Sequence, residues 1–100
     1  MKVALTTEAL HDLENIRAWL TERSPQGRES VTADIRELIR SFGDGLVRGR
    51  TTPRDDVFER VTRKFGYILP YTIKGDTVYV LRVYDSRQKG IDYQVLNINI

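Results

Sequence analysis

The chain has 100 residues, of which 40% are hydrophobic and 30% charged, with a formal net charge of +2. This length provides one modest core and excludes a second domain. The absence of a run of about 18 apolar residues excludes a transmembrane helix, and the absence of cysteine excludes disulfides and thiolate metal sites. Because the N-terminus has no signal-like apolar segment, we expect a cytoplasmic protein.

The N-terminal part predicts a short strand followed by a helical hairpin. Residues 2–5 are short and apolar, as in a first β-strand, and residues 8–42 carry two runs of apolar residues at helical spacing. Ser24 and Pro25 separate the two runs as an N-cap and a first helical residue, and Gly43 ends the second helix. The apolar stripes consist of Ala9, Leu13, Ile16 and Leu20 in the first helix and Val31, Ile35, Leu38 and Phe42 in the second.

The segment 43–56 is a loop that contains three glycines, one proline and three arginines and shows no period. It is longer than most connections, and loops of this length often carry function. Two interpretations stay open, a spacer and a functional loop.

Residues 57–84 predict a meander of three antiparallel strands, because runs rich in Val, Ile, Tyr and Thr are separated by glycine-containing turns. We expect three-residue turns at 64–66 and 74–76, each with glycine at positive φ. A two-residue second turn would place Arg82 opposite Leu69 in the core, which the cost of burying a charge disfavours. The expected pairs are Val61 with Leu69, Ile73 with Thr77, and Leu69 with Leu81.

This register divides the meander into a core face and an open face. The core face should pack against the helical hairpin, while the open face mixes apolar, aromatic and arginine side chains. The expected core face consists of Val57, Val61, Leu69, Tyr71, Ile73, Tyr79, Leu81 and Val83. The expected open face consists of Phe58, Arg60, Thr62, Ile68, Pro70, Thr72, Val78, Val80, Arg82 and Tyr84.

A C-terminal tail, residues 88–100, follows the meander and ends in an alternating segment of high β propensity. It could form a fifth strand, a dimer contact or an aggregation-prone edge, and a fifth strand is favoured. The predicted fold is therefore α+β in one domain, 1–100. A short N-terminal strand and an α-helical hairpin pack on one face of a three- to five-stranded, mainly antiparallel sheet.

Common catalytic motifs are absent from the sequence, including the P-loop, GxGxxG, HExxH and GxSxG patterns. The single histidine, His11, lies in an exposed part of the first helix, and Asp55 and Asp56 lie in a loop, so we expect no metal site and no cofactor. The remaining candidates are cations and one tyrosine near the open face. They could bind phosphates, anchor a protein partner, or be surface residues paired with carboxylates. This set comprises Arg60, Arg63, Lys64, Arg82, Tyr84 and Arg87.

Three segments resemble the ParE/RelE toxin superfamily of bacterial toxin–antitoxin systems. They are LTTEALHDLENIRAWL in the first helix, FERVTRKFGYILPYTI through the first hairpin of the meander, and TVYVLRVYDSRQ at its end. The loop 43–56 lacks the Pro-x-x-Gly-Arg pattern usual in that superfamily, and the end of the chain differs from the typical one. The resemblance implies the same fold over most of residues 3–88.

The resemblance implies a toxin of one of two branches. RelE-like members cleave messenger RNA on the ribosome, whereas ParE-like members poison DNA gyrase. The ribonuclease branch has basic residues where this chain has Glu59, Val61 and Ile68, while Arg87 and Tyr93 match its pattern. The long helical hairpin is also more similar to ParE, so the enzyme class is uncertain and a non-enzymatic gyrase inhibitor is favoured. The alternatives are a metal-independent endoribonuclease and an inactive binding module; the ribonuclease would use Arg63, Lys64, Arg82, Arg87 and Tyr93.

The resemblance also implies two protein partners and no membrane. A ParD- or RelB-like antitoxin would neutralise the toxin and would provide its only link to DNA, and gyrase would be the target. We expect the target-binding surface to include Arg60, Arg82, Tyr84 and Arg87. We expect the antitoxin to contact Leu13, Trp19, Ile35 and Phe58.

Overall fold

The computed structural model describes residues 1–88 and 90–99 and has two helices packed on a six-stranded sheet. The helices are α1 (Thr7–Arg23) and α2 (Pro25–Gly43). The strands are β1 (Lys2–Leu5), β2 (Arg50–Thr51), β3 (Phe58–Val61), β4 (Tyr67–Lys74), β5 (Thr77–Val80) and β6 (Tyr84–Asp85). Their order is β1-β5-β4-β3-β2, with β6 also paired to β4, and every pairing is antiparallel except that of β1 with β5. The predicted α+β fold is confirmed. None of the described helices has both the length and the hydropathy needed to cross a membrane.

A single residue, Ser24, ends one helix and starts the next. Its backbone N–H donates to the carbonyl of Leu20 (2.7 Å), and its hydroxyl accepts from the N–H of Gly27 (3.0 Å). Pro25 occupies the first helical position, where its missing N–H is not needed. The hairpin therefore forms where the sequence predicts it.

Apolar side chains of both helices form one core with one face of the sheet. Phe42 of α2 packs against Tyr71 of β4, with 4.7 Å between ring centroids, and both residues are fully buried. Burial of each such side chain contributes about 1.5–3 kcal/mol. The core consists of Ala9, Leu20, Val31, Ile35, Leu38 and Phe42 from the helices and Tyr67, Leu69, Tyr71, Val78, Val80 and Val83 from the meander.

Both predicted turn lengths in the meander are wrong by one residue. The second turn contains only Gly75 and Asp76, because Lys74 pairs directly with Thr77. Gly75 has a φ of +62°, as glycine can at the first position of a two-residue hairpin loop. The first turn spans the four residues 63–66. In place of the expected pairs Val61–Leu69, Ile73–Thr77 and Leu69–Leu81, the structure has Arg60–Leu69, Ile73–Val78 and Tyr71–Val80.

The shorter second turn is compatible with the core because the third strand of the meander stops early. Strand β5 ends at Val80, and β6 resumes pairing with β4 one residue out of register. This offset resembles a β-bulge, which redirects side chains. Arg82 lies in the interrupted segment and leaves the ladder. The charge therefore does not enter the core, which removes the objection to a two-residue turn.

The register change moves several side chains to a different face from the one predicted. Arg60 is the partner of Leu69 and so lies on the helix side, together with Phe58. Val78 and Val80, expected on the open face, are core residues, and Tyr79 between them, expected in the core, lies on the second face of the sheet. Val61 and Ile73, expected in the core, are 37% and 38% exposed.

The C-terminal tail covers part of the second face of the sheet, so the prediction of an open face is wrong. Arg54 Nη1 donates to the carbonyls of Tyr93 (3.1 Å) and Leu96 (2.8 Å), and Lys74 Nζ donates to the carbonyl of Ile98. The tail contains a 3₁₀ turn at Tyr93–Val95, and residues 90–99 form no strand. The predicted fifth strand in the tail is therefore also wrong over the described residues. The extra strand lies instead in the loop 43–56, as β2.

Candidate functional site

An apolar groove of about 360 Å³ runs between the two helices. Its walls include Leu13 and Ile16 of α1 and Ile35 of α2, while Leu10 at its edge is 49% exposed. Part of each helical stripe stays accessible to solvent, since Leu13, Ile16 and Ile39 are only partly buried. The charged side chains beside the groove are Glu14, Arg17 and Arg36. Such a surface suits the apolar face of an amphipathic helix that carries acidic residues.

A second pocket, of about 400 Å³, lies where α1 meets the end of the meander, and we call it the Trp19 pocket. Trp19 is 55% exposed, and the guanidinium of Arg23 lies 4.2 Å from the centre of its ring system. The lining residues are Asp12, Asn15, Ile16, Trp19, Tyr67, Arg82, Val83, Tyr84, Asp85, Gln88 and Ile91. Aromatic residues and arginine at one site are typical of protein interfaces.

Arg82, a predicted target-binding and catalytic residue, is held by a carboxylate of α1. Its Nε and Nη2 donate to the two oxygens of Asp12, at 2.7 and 3.1 Å. The hydrogen bond to Asp12 raises the pKa of Arg82 above its ordinary value. A guanidinium bound in this bidentate way fixes the position of α1 and has little positive charge left for a phosphate.

Arg60, also expected to bind the target, makes hydrogen bonds within the protein instead. Its Nη1 donates to the hydroxyl of Ser41 (2.8 Å) and to the carbonyl of Leu46 (2.6 Å), and its guanidinium lies 5.5 Å from the Phe42 ring. It therefore connects the end of α2 and the following loop to the sheet.

The remaining predicted cations lie near the turn 63–66. Ser86, which follows β6, donates its N–H to the carbonyl of Gly66 (3.1 Å), so Arg87 comes near this turn. Arg87 is itself paired with Asp85 (2.8 Å), and this contact raises the pKa of Arg87 and lowers the pKa of Asp85. Arg63 and Lys64 have exposed side chains. These cations form no cluster around Tyr93, which lies against the second face of the sheet.

Tyr93 takes part in a chain of hydrogen bonds. Its hydroxyl donates to Glu59 Oε2 and lies 2.9 Å from the hydroxyl of Tyr84, while Glu59 also accepts from Arg50 (2.7 Å). Burial, followed by the bond to the Glu59 carboxylate, strongly raises the pKa of Tyr93. The phenol is protonated at neutral pH and is a poor general base.

The predicted antitoxin-binding residues lie in three places. Leu13 and Ile35 line the groove, Trp19 lines the Trp19 pocket, and Phe58 packs against Tyr71 on the helix side of the sheet, with 6.1 Å between centroids. Only Leu13 and Ile35 are brought together on one surface.

Two carboxylates that sequence reasoning did not single out connect the helices to the meander. Asp12 binds Arg82 and also accepts from the N–H of Val83 (2.9 Å). Asp34, 6% exposed, accepts from the N–H groups of Lys64 (3.1 Å) and Phe65 (2.8 Å). The sequence contained a pattern that could have identified Asp34. An acidic residue beside the apolar positions of a predicted buried stripe needs a hydrogen-bond partner.

The described residues contain no cluster of three His, Asp or Glu side chains that could hold a metal ion. The carboxylates of the Trp19 pocket, Asp12 and Asp85, accept instead from arginine side chains and backbone N–H groups.

The sequence matches a family model described as "ParE toxin of type II toxin-antitoxin system, parDE" over residues 3–90. The fold is similar to a solved structure described as a chromosomal ParDE TA system from P. aeruginosa, with a TM-score of 0.72 and 20% sequence identity. That alignment covers 85% of this chain and 95% of the other. At this identity the likeness shows a shared fold. No curated protein matches the sequence.

Proposed function

Because this chain belongs to the ParE toxin family of type II toxin–antitoxin systems, we propose that it inhibits DNA gyrase in the cytoplasm and is neutralised by a cognate antitoxin. The antitoxin would be of the ParD or RelB type and would bring the toxin to DNA only through its own DNA-binding region. The family match over most of the chain is the main support for this proposal, and the solved ParDE system supports the partnership.

The groove between α1 and α2 is the proposed antitoxin site. It is apolar, it is partly solvent-exposed, and arginines of both helices lie beside it. An antitoxin helix with an apolar stripe would bury Leu10 and Leu13, and its acidic residues would face Arg17 and Arg36. Burial of the groove would add apolar contact area that the toxin alone leaves in water.

An mRNA interferase is less well supported by the arrangement of the predicted catalytic residues. Arg82 and Arg87 are each paired with a carboxylate, and Tyr93 is a protonated phenol bonded to Glu59. Ribonucleolytic chemistry without a metal needs free cations for the developing charge and a group that accepts a proton. Binding to gyrase requires neither.

The target is tested with purified toxin in two assays run side by side. We expect the toxin to inhibit supercoiling by DNA gyrase, or to accumulate cleaved DNA complexes, while leaving transcripts intact in a translating extract. Transcript cleavage with unaffected gyrase would replace the gyrase proposal with the ribonuclease one. Inactivity in both assays, together with harmless expression in cells that lack the antitoxin, would indicate an inactive binding module.

The antitoxin site is tested with a matched pair of surface variants and the antitoxin encoded beside the toxin gene. Leu10→Asp places a charge in the groove, and Leu46→Asp changes a leucine that is 61% exposed elsewhere. We expect Leu10→Asp to weaken antitoxin binding by about tenfold or more, as loss of a well-packed apolar contact does. Leu46→Asp should bind as the wild type does. Equal binding by both variants would exclude the groove.

A further inference from the structure

Three buried apolar residues lie on the second face of the sheet, away from the helices. Ile68, Pro70 and Leu81 are each 9% exposed or less, yet none of them belongs to the core that the helices share with the sheet. Along β4, Ile68 and Pro70 alternate with residues of that core and so lie on the second face. Leu81 lies beside Pro70, to whose carbonyl its N–H donates (2.8 Å). We call these three residues the second-face strip.

The C-terminal tail crosses this strip at Tyr93. The hydroxyl of Tyr93 is hydrogen-bonded to the side chains of Glu59 and Tyr84. These two residues are the ladder partners of Pro70 and Ile68, respectively. Because paired residues of antiparallel strands have their side chains on the same face, Tyr93 lies over the strip.

The tail makes few buried apolar contacts with the face that it covers. Every side chain of residues 91–99 is at least partly exposed, and that of Val95 is 76% exposed. A cleft of about 250 Å³ lies between the tail and Leu81, with Val95 and Leu96 among its lining residues. Atoms that line such a space lack packing partners on one side. Segments with few buried apolar contacts open at a low free-energy cost.

Polar bonds hold the tail in place, and Arg54 makes two of them. Its Nη1 donates to the carbonyls of Tyr93 (3.1 Å) and Leu96 (2.8 Å), at the two ends of the 3₁₀ turn. The guanidinium is itself held by Asp56, with Nε 3.2 Å from Oδ1, and the Arg54 side chain is only 17% exposed. Arg54 is therefore positioned by its own loop to hold the tail.

We propose that residues 91–99 form a strap that opens as a unit from the second-face strip while the rest of the fold stays intact, and that Arg54 holds this strap closed. Opening breaks the bonds of Arg54 and Lys74 to the strap and those of Tyr93 to the sheet, and it exposes the strip to water. Gly90 serves as the hinge. The loop 43–56 thus has a function beyond that of a spacer, because it carries the residue that fastens the strap.

Amide hydrogen exchange of the wild-type protein, followed by NMR, tests whether the strap opens on its own. The amides of Gln94, Val95 and Leu96 are the probes, because each donates a hydrogen bond within the strap. We expect them to exchange more slowly than in an unstructured peptide, but at least about a hundredfold faster than the amides of β4.

Arg54→Ala tests the clamp. We expect the three strap amides to exchange about tenfold faster, because two hydrogen bonds from a charged group are lost, and the amides of β4 to be unchanged. The variant should also bind more of the dye 1-anilinonaphthalene-8-sulfonate, which reports exposed apolar surface. Arg48→Ala, which changes an exposed arginine of the same loop, is the control and should behave as the wild type does. Circular dichroism establishes that both variants are folded.

Three outcomes would overturn the proposal. Exchange of the wild-type strap amides at the rate of an unstructured peptide would mean that no closed strap exists. Exchange at the rate of the β4 amides would mean that the tail opens only when the whole fold does. Equal effects of Arg54→Ala and Arg48→Ala would mean that Arg54 is not the clamp. None of these results depends on whether the toxin inhibits gyrase.

Discussion

The carboxylate of Asp12 in α1 binds Arg82, which is 70 residues later in the chain, through two hydrogen bonds of 2.7 and 3.1 Å. The same carboxylate accepts from the N–H of Val83 (2.9 Å). These bonds lie at the point where β5 ends and before β6 begins. The ion pair therefore fixes the interruption of the meander, the position of α1 and one wall of the Trp19 pocket at once.

Replacement of Asp12 by alanine should destabilise the fold. It leaves the partly buried Arg82 guanidinium and the N–H of Val83 without their acceptor, and loss of such bonds costs about 1–3 kcal/mol. The free energy of unfolding in urea measures the effect. The control is Asp44→Ala, which removes a more exposed partner of Arg40 and should change stability little. Similar losses in both variants would mean that the Asp12 pair is no more important than a surface one.

Replacement of Asp34 by alanine should destabilise the turn 63–66 in particular. Asp34 is buried, and its carboxylate accepts from two backbone N–H groups of that turn. We expect a loss of about 1–3 kcal/mol and faster amide hydrogen exchange at Lys64 and Phe65. Asp76→Ala, at a position with a 74% exposed side chain, is the matched control. Unchanged exchange at the two turn amides would contradict the assigned role.

Replacement of Gly49 by alanine should displace the loop that carries β2. A Cβ atom at this position would lie 2.5 Å from the Tyr71 hydroxyl and 2.6 Å from the Glu59 carbonyl oxygen, closer than such atoms approach. We expect a loss of about 1–3 kcal/mol, as for other overpacked sites. Gly90→Ala is the control, because an added Cβ there meets no atom of the described residues, its chain neighbours apart, within 4 Å. Equal melting temperatures of the two variants would contradict the close packing of Gly49 against Tyr71 and Glu59.

Stability should fall in alkaline solution, and Tyr93 should account for part of the fall. Burial and the Glu59 carboxylate raise the pKa of Tyr93 in the folded chain above its unfolded value of about 10. The folded state therefore holds this proton while the unfolded state releases it. The stabilising contribution is complete below about pH 10 and is lost as the pH rises further.

Tyr93→Phe should be less stable than the wild type at neutral pH and should lose less stability above pH 10. Urea unfolding at a series of pH values measures the difference. Burial also raises the pKa of Tyr67 and of Tyr71, so the wild type and the variant should both weaken, with the steeper fall in the wild type. Parallel curves for the two proteins would contradict the role of Tyr93.

Much of the fold was predictable from local patterns. The helices follow from apolar spacing and from the Ser24-Pro25 junction, because caps and amphipathic stripes are set by neighbouring residues. The meander follows from β-branched runs between glycines. Its register does not, because turns of two, three or four residues all fit those glycines, and the choice depends on which side chains the helices bury.

The candidate surfaces were predicted less well. Leu13 and Ile35, both expected to contact the antitoxin, line the same groove, since both belong to the helical stripes. The cations were expected on an open face, yet Arg60 lies on the helix side and Arg82 is paired with Asp12. Their partners are 19 and 70 residues distant in the chain, and no local pattern encodes such a contact.

The sequence by itself determined the order of the first strand, the two helices and the meander, the packing of the helices on the sheet, and the resemblance to a toxin family, because these depend on spacing and composition along the chain. Only the tertiary structure decided which charges remain available and where the tail lies. Both depend on long-range pairing, since a buried carboxylate or guanidinium must find a partner wherever the fold brings one within hydrogen-bond distance.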